Sequence, residues 1–310
     1  MELRQVLCAE LDRMMAENEN IVVIDADLSK PNGTFELRKK YPERAFDVGI
    51  AEQNMASVAA GMSSYGFIPF ISSFTPFSSR RICDQIVVSI AYAKQNVKIL
   101  GTDPGICAEF NGGTHMSMED IGVLRSIPEL VLYEPVDAIQ LKQALPQIVE
   151  YYGPVYIRMF RKTIDDIFTD PGYQFDLFRA DTIQEGKDVS IFCSGIMVQE
   201  TMKANEQLKV QGIQADIVRI HTVKPIDRKA VVASAKKTGA VVTAENHNII
   251  GGLRSAVAEV LVEECPVPLR AIGVKDAFGQ VGKLPFLKEE YQMRAEDIVA
   301  AVKQVLMLKK

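Results

Sequence analysis

Short runs of β-branched and aromatic apolar residues recur along this chain, each followed by a stretch with helical spacing. That alternation restricts the fold to α/β architectures. In the first half, NIVVIDADLS from Asn20, Gly66–Ile71, Val97–Gly101 and Val155–Met159 read as strands. In NIVVIDADLS the β-branched residues are consecutive, as expected of a parallel strand covered on both faces. Leu3, Val6, Leu7, Leu11, Met14 and Met15 repeat at helical spacing over Glu2–Glu17, and a second helix is expected from about Phe77 to Lys94. Beyond Gly186 the pattern resumes, with strands in DVSIFC, ADIVRI, AVVTAEN and LRAIGV and a last helix over about Ala295–Leu308. The fold expected is two doubly wound, mostly parallel-sheet domains, over 1–165 and 187–310. The polar stretch 166–186, which lacks periodicity, would join them.

At 310 residues the chain is long enough for two separate cores. A net charge of −5 offers no basic footprint for nucleic acid. No apolar run approaches the ~18–20 residues needed to span a bilayer, and the amphipathic start MELRQVLCAELDRMM is too charged for a secretory signal. Cys8, Cys83, Cys107, Cys193 and Cys265 are five scattered cysteines with no zinc-ligand spacing. They suit reduced thiols, so a cytoplasmic protein is expected.

The stretch with the most chemical content is DVGIAEQNMASVAAG, Asp47–Gly61. Glu52 opens a helix whose other residues are mostly small and apolar, a composition typical of a buried or interfacial helix. Unsatisfied N–H groups at a helix start favour a carboxylate. Glu52 is therefore either a capping residue or a carboxyl held away from water for chemistry.

Other candidates also have two readings. Asp27 stands just past a strand, where α/β folds collect ligands, but an aspartate there can also cap a turn. Phe74 and Phe77, three apart at a strand-to-helix junction, fit a core as well as a ring-binding wall. His115, between a glycine-rich loop and a helix start, is either a satisfied structural residue or a proton carrier. Arg158 and Arg161 close a strand and can be solvated charge or an anion grip.

The string GIAEQNMASVAAGMSSYGFIPFISSF, with GGTH at Gly112–His115 and HTVKPID, AENHNIIGGLRSAVAE and DAFGQVG further on, resembles the transketolase family over nearly the whole chain. The resemblance implies that the first domain binds the aminopyrimidine of thiamine diphosphate and that the second is the transketolase C-terminal domain. It implies that Glu52 shares a proton with a ring nitrogen of that cofactor. Phe74 and Phe77 would flank the ring, with Asp27 and Arg80 also on the cofactor. His115 would move protons or donate to substrate hydroxyls, and Arg4 and Arg161 would grip the sugar phosphate. Two positions in the loop that begins at Gly101 depart from the common pattern. Asp103 and Asn111 stand where many relatives carry a histidine and an aspartate that read substrate hydroxyls, and AEFN at Ala108–Asn111 replaces VGED. Arg80 replaces a tyrosine of many fused transketolases, and the adjoining segment from Arg81 looks more like the RAxxQI of split transketolases.

In the family the diphosphate is bridged to protein by magnesium or calcium through a GDG sequence with a spaced asparagine, and this chain contains no GDG. The resemblance thus implies half of an active site, with no metal ligand of its own. The chain would be the C-terminal subunit of a split transketolase. An N-terminal subunit would supply the diphosphate and metal site, in an α2β2 heterotetramer where this chain also meets its own mate. The expected reaction is transfer of a two-carbon ketol unit from a ketose phosphate to an aldose phosphate. The departures at Asp103 and Asn111 favour an unusual sulfo- or branched sugar as the alternative. The other readings are a non-catalytic scaffold and a 2-oxoacid dehydrogenase β-type subunit.

Overall fold

The computed structural model describes residues 1–309. Its contacts divide the chain into two compact units, one of Met1–Pro104 with Val123–Leu177 and one of Gly105–Gly122 with the chain from Phe178 onward. The five cysteines form no disulfide among the described residues, and no helix among them is long and apolar enough to cross a membrane.

In the first unit, strands β1 (Ile21–Asp25), β2 (Ala45–Asp47), β3 (Ile68–Phe74), β4 (Lys98–Thr102), β5 (Val131–Tyr133) and β6 (Val155–Met159) lie in the order β5-β6-β4-β3-β1-β2. Every pairing among them is parallel. β1, β4 and β6 are buried along their whole length, which is why their apolar runs do not alternate. The helix Leu3–Glu17 lays Leu3, Leu7, Leu11 and Met15 into a core shared with Val23, Phe70, Tyr133 and Leu145. Each such side chain contributes roughly 1.5–3 kcal/mol on burial.

The helix Glu52–Ser64 buries Met55, Ala56, Ala59, Ala60 and Ser63 on one side. Its opposite side presents Gln53, Asn54, Ser57, Gly61 and Ser64, all exposed in the single chain. The expected helix after Phe77 is irregular. A 3₁₀ turn covers Arg80–Ile82, an α-helical step Cys83–Gln85, and a π-helix Ile86–Tyr92. Apolar spacing alone matches 3.6 residues per turn and does not reveal such changes of pitch.

The stretch 166–186, expected to join the domains, is divided between the units at Leu177, and its first part is a strap on the first unit. Gln143 and Gln147, one turn apart on the helix Ala138–Glu150, use their amides as a second backbone. They bind the main chain of Tyr173, Phe175 and Leu177 at 2.6–3.1 Å. Phe175 and Leu177 are buried in the core, and Phe168 stacks on Tyr173 at 4.1 Å.

In the second unit β7 (Asp181–Gln184), β8 (Val189–Cys193), β9 (Ala215–Arg219), β11 (Val241–Asn248) and β12 (Leu269–Val274) form a sheet in the order β12-β11-β8-β9-β7, while β10 (Thr222–Lys224) follows β9 in the chain. Only the edge strand β7 is antiparallel within this sheet. Asp227 caps the helix Arg228–Thr238 through the Ala230 N–H at 3.0 Å.

Candidate active site

Parallel strands all end on one edge, so β1, β2, β3, β4 and β6 deliver their following residues to the same side of the first unit. Asp47, at the end of β2, organises the approach to Glu52. Its Oδ1 accepts the N–H groups of Asp27 and Gly49 at 2.9 and 2.8 Å, and its Oδ2 accepts from Arg38 at 3.1 Å. One carboxylate thus ties the turn after β1 to the loop that enters the helix Glu52–Ser64. Asp27 takes a left-handed backbone, φ 61°, with its side chain exposed. Its link to the neighbouring loop in this unit runs through its main chain.

Glu52 is the first residue of its helix and only 4% exposed. Its Oε1 accepts from Arg81 Nη1 at 2.8 Å. The Arg81 guanidinium lies against the Phe77 ring, 4.0 Å from the centroid, and the Arg81 carbonyl accepts from Gln53 at 3.3 Å. Phe74 stands 6.4 Å from Phe77, centroid to centroid. The segment that carries them is tied down, because Thr75, Ser78 and Ser79 donate their hydroxyls to buried carbonyls at 2.7, 2.9 and 2.6 Å. Arg80, one position before Arg81, is exposed.

Phe74 leads to the other end of this chain of contacts. Arg161, just past β6, sits 5.1 Å from the Phe74 centroid and pairs with Asp103 at 2.5 Å. Asp103 follows β4 with φ 53° and is 2% exposed. Burial raises its pKa, and the Arg161 charge opposes that rise. Arg4 reaches the same neighbourhood through the backbone, its N–H donating to the Arg161 carbonyl at 3.1 Å. Its own side chain pairs with Glu2 at 2.7 Å. Arg158, by contrast, is buried against Glu134 at 2.6 Å within the sheet.

The structure therefore brings Glu52, Phe77, Phe74, Arg161, Asp103 and the Arg4 backbone into one continuous line. The residue that sequence reasoning does not place there, as a ligand of Glu52, is Arg81. Its spacing of four from Phe77, in a turn following an aromatic, is the available signal.

Asn111 and His115 belong to the second unit. Asn111 ends the 3₁₀ segment Gly105–Asn111 and is exposed. His115 is half-buried, with Nδ1 2.9 Å from the Thr114 hydroxyl. Their loop is pinned by consecutive residues of β11. Asn246 accepts from the Ile106 N–H at 3.0 Å, His247 from the Gly122 N–H at 3.3 Å, and the Asn248 N–H donates to the Met118 carbonyl at 2.8 Å. The AENHN motif thus works as a clamp on this loop, which explains why buried His247 is a structural residue.

A carboxylate at a helix start beside an aromatic face can hold a flat heterocycle that donates a hydrogen bond at its edge. That pairing of an acceptor with a ring face fits an aminopyrimidine, and a planar guanidinium already makes both contacts. Among the described residues no group of three or more His, Cys, Asp or Glu could hold a metal ion.

Residues 1–165 match the pyrimidine binding domain of transketolase, and residues 179–298 match the transketolase C-terminal domain. The chain is 52% identical over 93% of its length to a 6-deoxy-6-sulfo-D-fructose transketolase subunit of Clostridium sp. (strain MSTE9), covering 89% of that protein. It is 41% identical to a putative transketolase C-terminal section of Methanocaldococcus jannaschii, over 92% of this chain and 90% of that one. A solved structure described as a split gene transketolase, inactive beta4 tetramer, superposes with a TM-score of 0.92 at 44% identity, covering 100% of both chains.

Proposed function

This chain belongs to the transketolase family, and on that premise we propose that it is the C-terminal subunit of a split transketolase. It transfers a two-carbon ketol unit from a ketose phosphate to an aldose phosphate. Thiamine diphosphate binds across the interface with an N-terminal subunit that supplies the diphosphate and magnesium or calcium ligands. The assembly contains two copies of each chain, and five scattered cysteines suit a reducing cytoplasm.

The observation that carries this reading is Glu52, buried at a helix start with its carboxylate linked through the Arg81 guanidinium to the Phe77 face. Bound thiamine diphosphate supplies the nucleophilic carbon that carries the ketol unit. Glu52 holds a proton at a pyrimidine nitrogen, Phe77 and Phe74 cover the ring, and Asp27 and Arg80 line its surroundings. His115 donates to or takes protons from the sugar oxygens as their charge changes. Arg4 and Arg161 orient the anionic end of the sugar, and Asp103 and Asn111 read its hydroxyls.

The test is reconstitution. Mixed with an N-terminal chain carrying GDG and its spaced asparagine, thiamine diphosphate and magnesium, the protein forms product. Glu52→Ala abolishes turnover while the complex, followed by size-exclusion chromatography, still assembles. Full turnover by this chain alone, or by the Glu52→Ala complex, overturns the reading.

A second reading, a sulfosugar as donor, is favoured by the charge balance around the anion grip. Arg161 is neutralised by Asp103 and Arg4 by Glu2, so the site suits a singly charged sulfonate better than a doubly charged phosphate. The relative with 52% identity carries a sulfosugar name. Comparing kcat/KM for a 6-sulfo and a 6-phospho ketose decides it. Asp103→Asn, which frees the Arg161 charge, shifts preference toward the phosphate. Equal preference in both proteins removes this reading.

A further inference from the structure

Arg81 makes both contacts that the cofactor reading assigns to the aminopyrimidine. Its Nη1 donates to Glu52 at 2.8 Å, and its flat guanidinium covers Phe77 at 4.0 Å. A ring seated on the same oxygen and the same face needs that space. Arg81 keeps an alternative, because its side chain is 42% exposed whereas that of Glu52 is 5% exposed. The backbone is fixed. Arg81 N–H donates to the Pro76 carbonyl at 3.2 Å, and its carbonyl accepts from Gln53 at 3.3 Å. Departure therefore requires only side-chain torsions, with no rearrangement of the turn.

We propose that Arg81 is a placeholder, holding Glu52 and Phe77 in their cofactor-ready positions until the pyrimidine displaces its guanidinium. The placeholder has a physical purpose. Without it Glu52 would be a buried carboxylate with neither ring nor cation, a costly state for the chain ahead of assembly. With it the carboxylate and the ring face stay in place, and the cofactor exchanges one planar hydrogen-bond donor for another. Arg81 thereby lowers cofactor affinity while raising the stability of the cofactor-free chain. The inference rests on the reading of Glu52 and Phe77 as the pyrimidine site.

The experiment is calorimetric titration of thiamine diphosphate with magnesium into the two-chain complex, wild type against Arg81→Met, paired with thermal unfolding of each without and with cofactor. A half-exposed ion pair and a cation–π contact no longer have to be broken, so Arg81→Met binds about 3- to 30-fold more tightly. Its cofactor-free melting temperature falls, and the gap closes when cofactor is saturating. Arg81→Lys, which keeps the charge and loses the planar stack, lies between the two and serves where Arg81→Met does not assemble. Weaker binding by both variants, with wild type binding normally, overturns the placeholder and makes Arg81 a residue that positions Glu52. No binding by the wild-type complex overturns the cofactor reading and the placeholder with it.

Discussion

Replacing Asp25 by asparagine removes a carboxyl that the fold holds at the end of β1 with no exposed surface. Asp25 faces Asp47 on one neighbouring strand and Ser72 on the other. The Thr34 hydroxyl donates to its two oxygens at 2.9 and 2.8 Å. Burial nevertheless pushes its pKa from 3.8 up to about 7; the Thr34 and Ser72 hydrogen bonds restrain the rise, Asp47 adds to it and Arg38 opposes it. Between these values the folded chain holds a proton that the unfolded chain has released. Stability therefore falls as pH rises through this window, by about 1.4 kcal/mol per pH unit, and levels off above pH 7. The accumulated loss is on the order of 4 kcal/mol, and asparagine, which never ionises, does not suffer it. Asp25→Asn should thus be more stable than wild type at about pH 8, by roughly 2–4 kcal/mol once about one weakened hydrogen bond is discounted, and nearly flat from about pH 4.5 to 7. Because the two units need not unfold together, the assay is hydrogen exchange of peptides from β1 and β3 across that pH range. Parallel pH dependences for the two proteins, or a less stable Asp25→Asn at the alkaline end, would show that the carboxylate is ionised and satisfied in the fold.

Asp137 accepts the N–H groups of Gln140, Ile167 and Phe168 at 2.7, 2.8 and 2.9 Å, so Asp137→Ala removes a helix cap and the start of the strap together. It should cost roughly 1–3 kcal/mol, seen as faster limited proteolysis between 163 and 177. Arg158→Met leaves Glu134 buried without its cation and should destabilise the first unit by roughly 3–5 kcal/mol in urea unfolding, whereas a joint change of both residues to apolar ones should recover most of it. Gly33 has φ 91°, and a Cβ there would lie 2.7 Å from the Arg4 carbonyl. Gly33→Ala should therefore cost roughly 1–3 kcal/mol and raise KM for the anionic substrate by displacing Arg4, with kcat less affected.

Much of the fold is legible in the sequence because burial leaves a simple mark. Val155–Met159 reads as a strand and is β6, residue for residue, since a strand covered on both faces shows no in-out alternation, and its one charge, Arg158, is buried against Glu134. Glu52 reads as a helix start from the small apolar run behind it, and it is the first helical residue. The segment 166–177 is not legible as a strap. Its main chain binds glutamine side chains on a helix, which leaves no period in its own residues. The same holds for the loop clamp, where Asn246, His247 and Asn248 act on Ile106, Gly122 and Met118 more than a hundred residues earlier.

Composition and order along the chain determined the class of the main strands and helices, the mostly parallel direction of the sheets and the edge where polar residues gather, because these follow from local periodicity and strand topology. Which arginine meets Glu52 was decided only in three dimensions. Arg80 and Arg81 are adjacent and chemically identical, and the 3₁₀ turn that carries both directs Arg81 to the carboxylate. Likewise the neutralising of Arg161 by Asp103 joins the ends of two strands that meet only when the sheet forms. Pairwise charge contacts act over a few ångströms of space, and no spacing in the sequence encodes that distance.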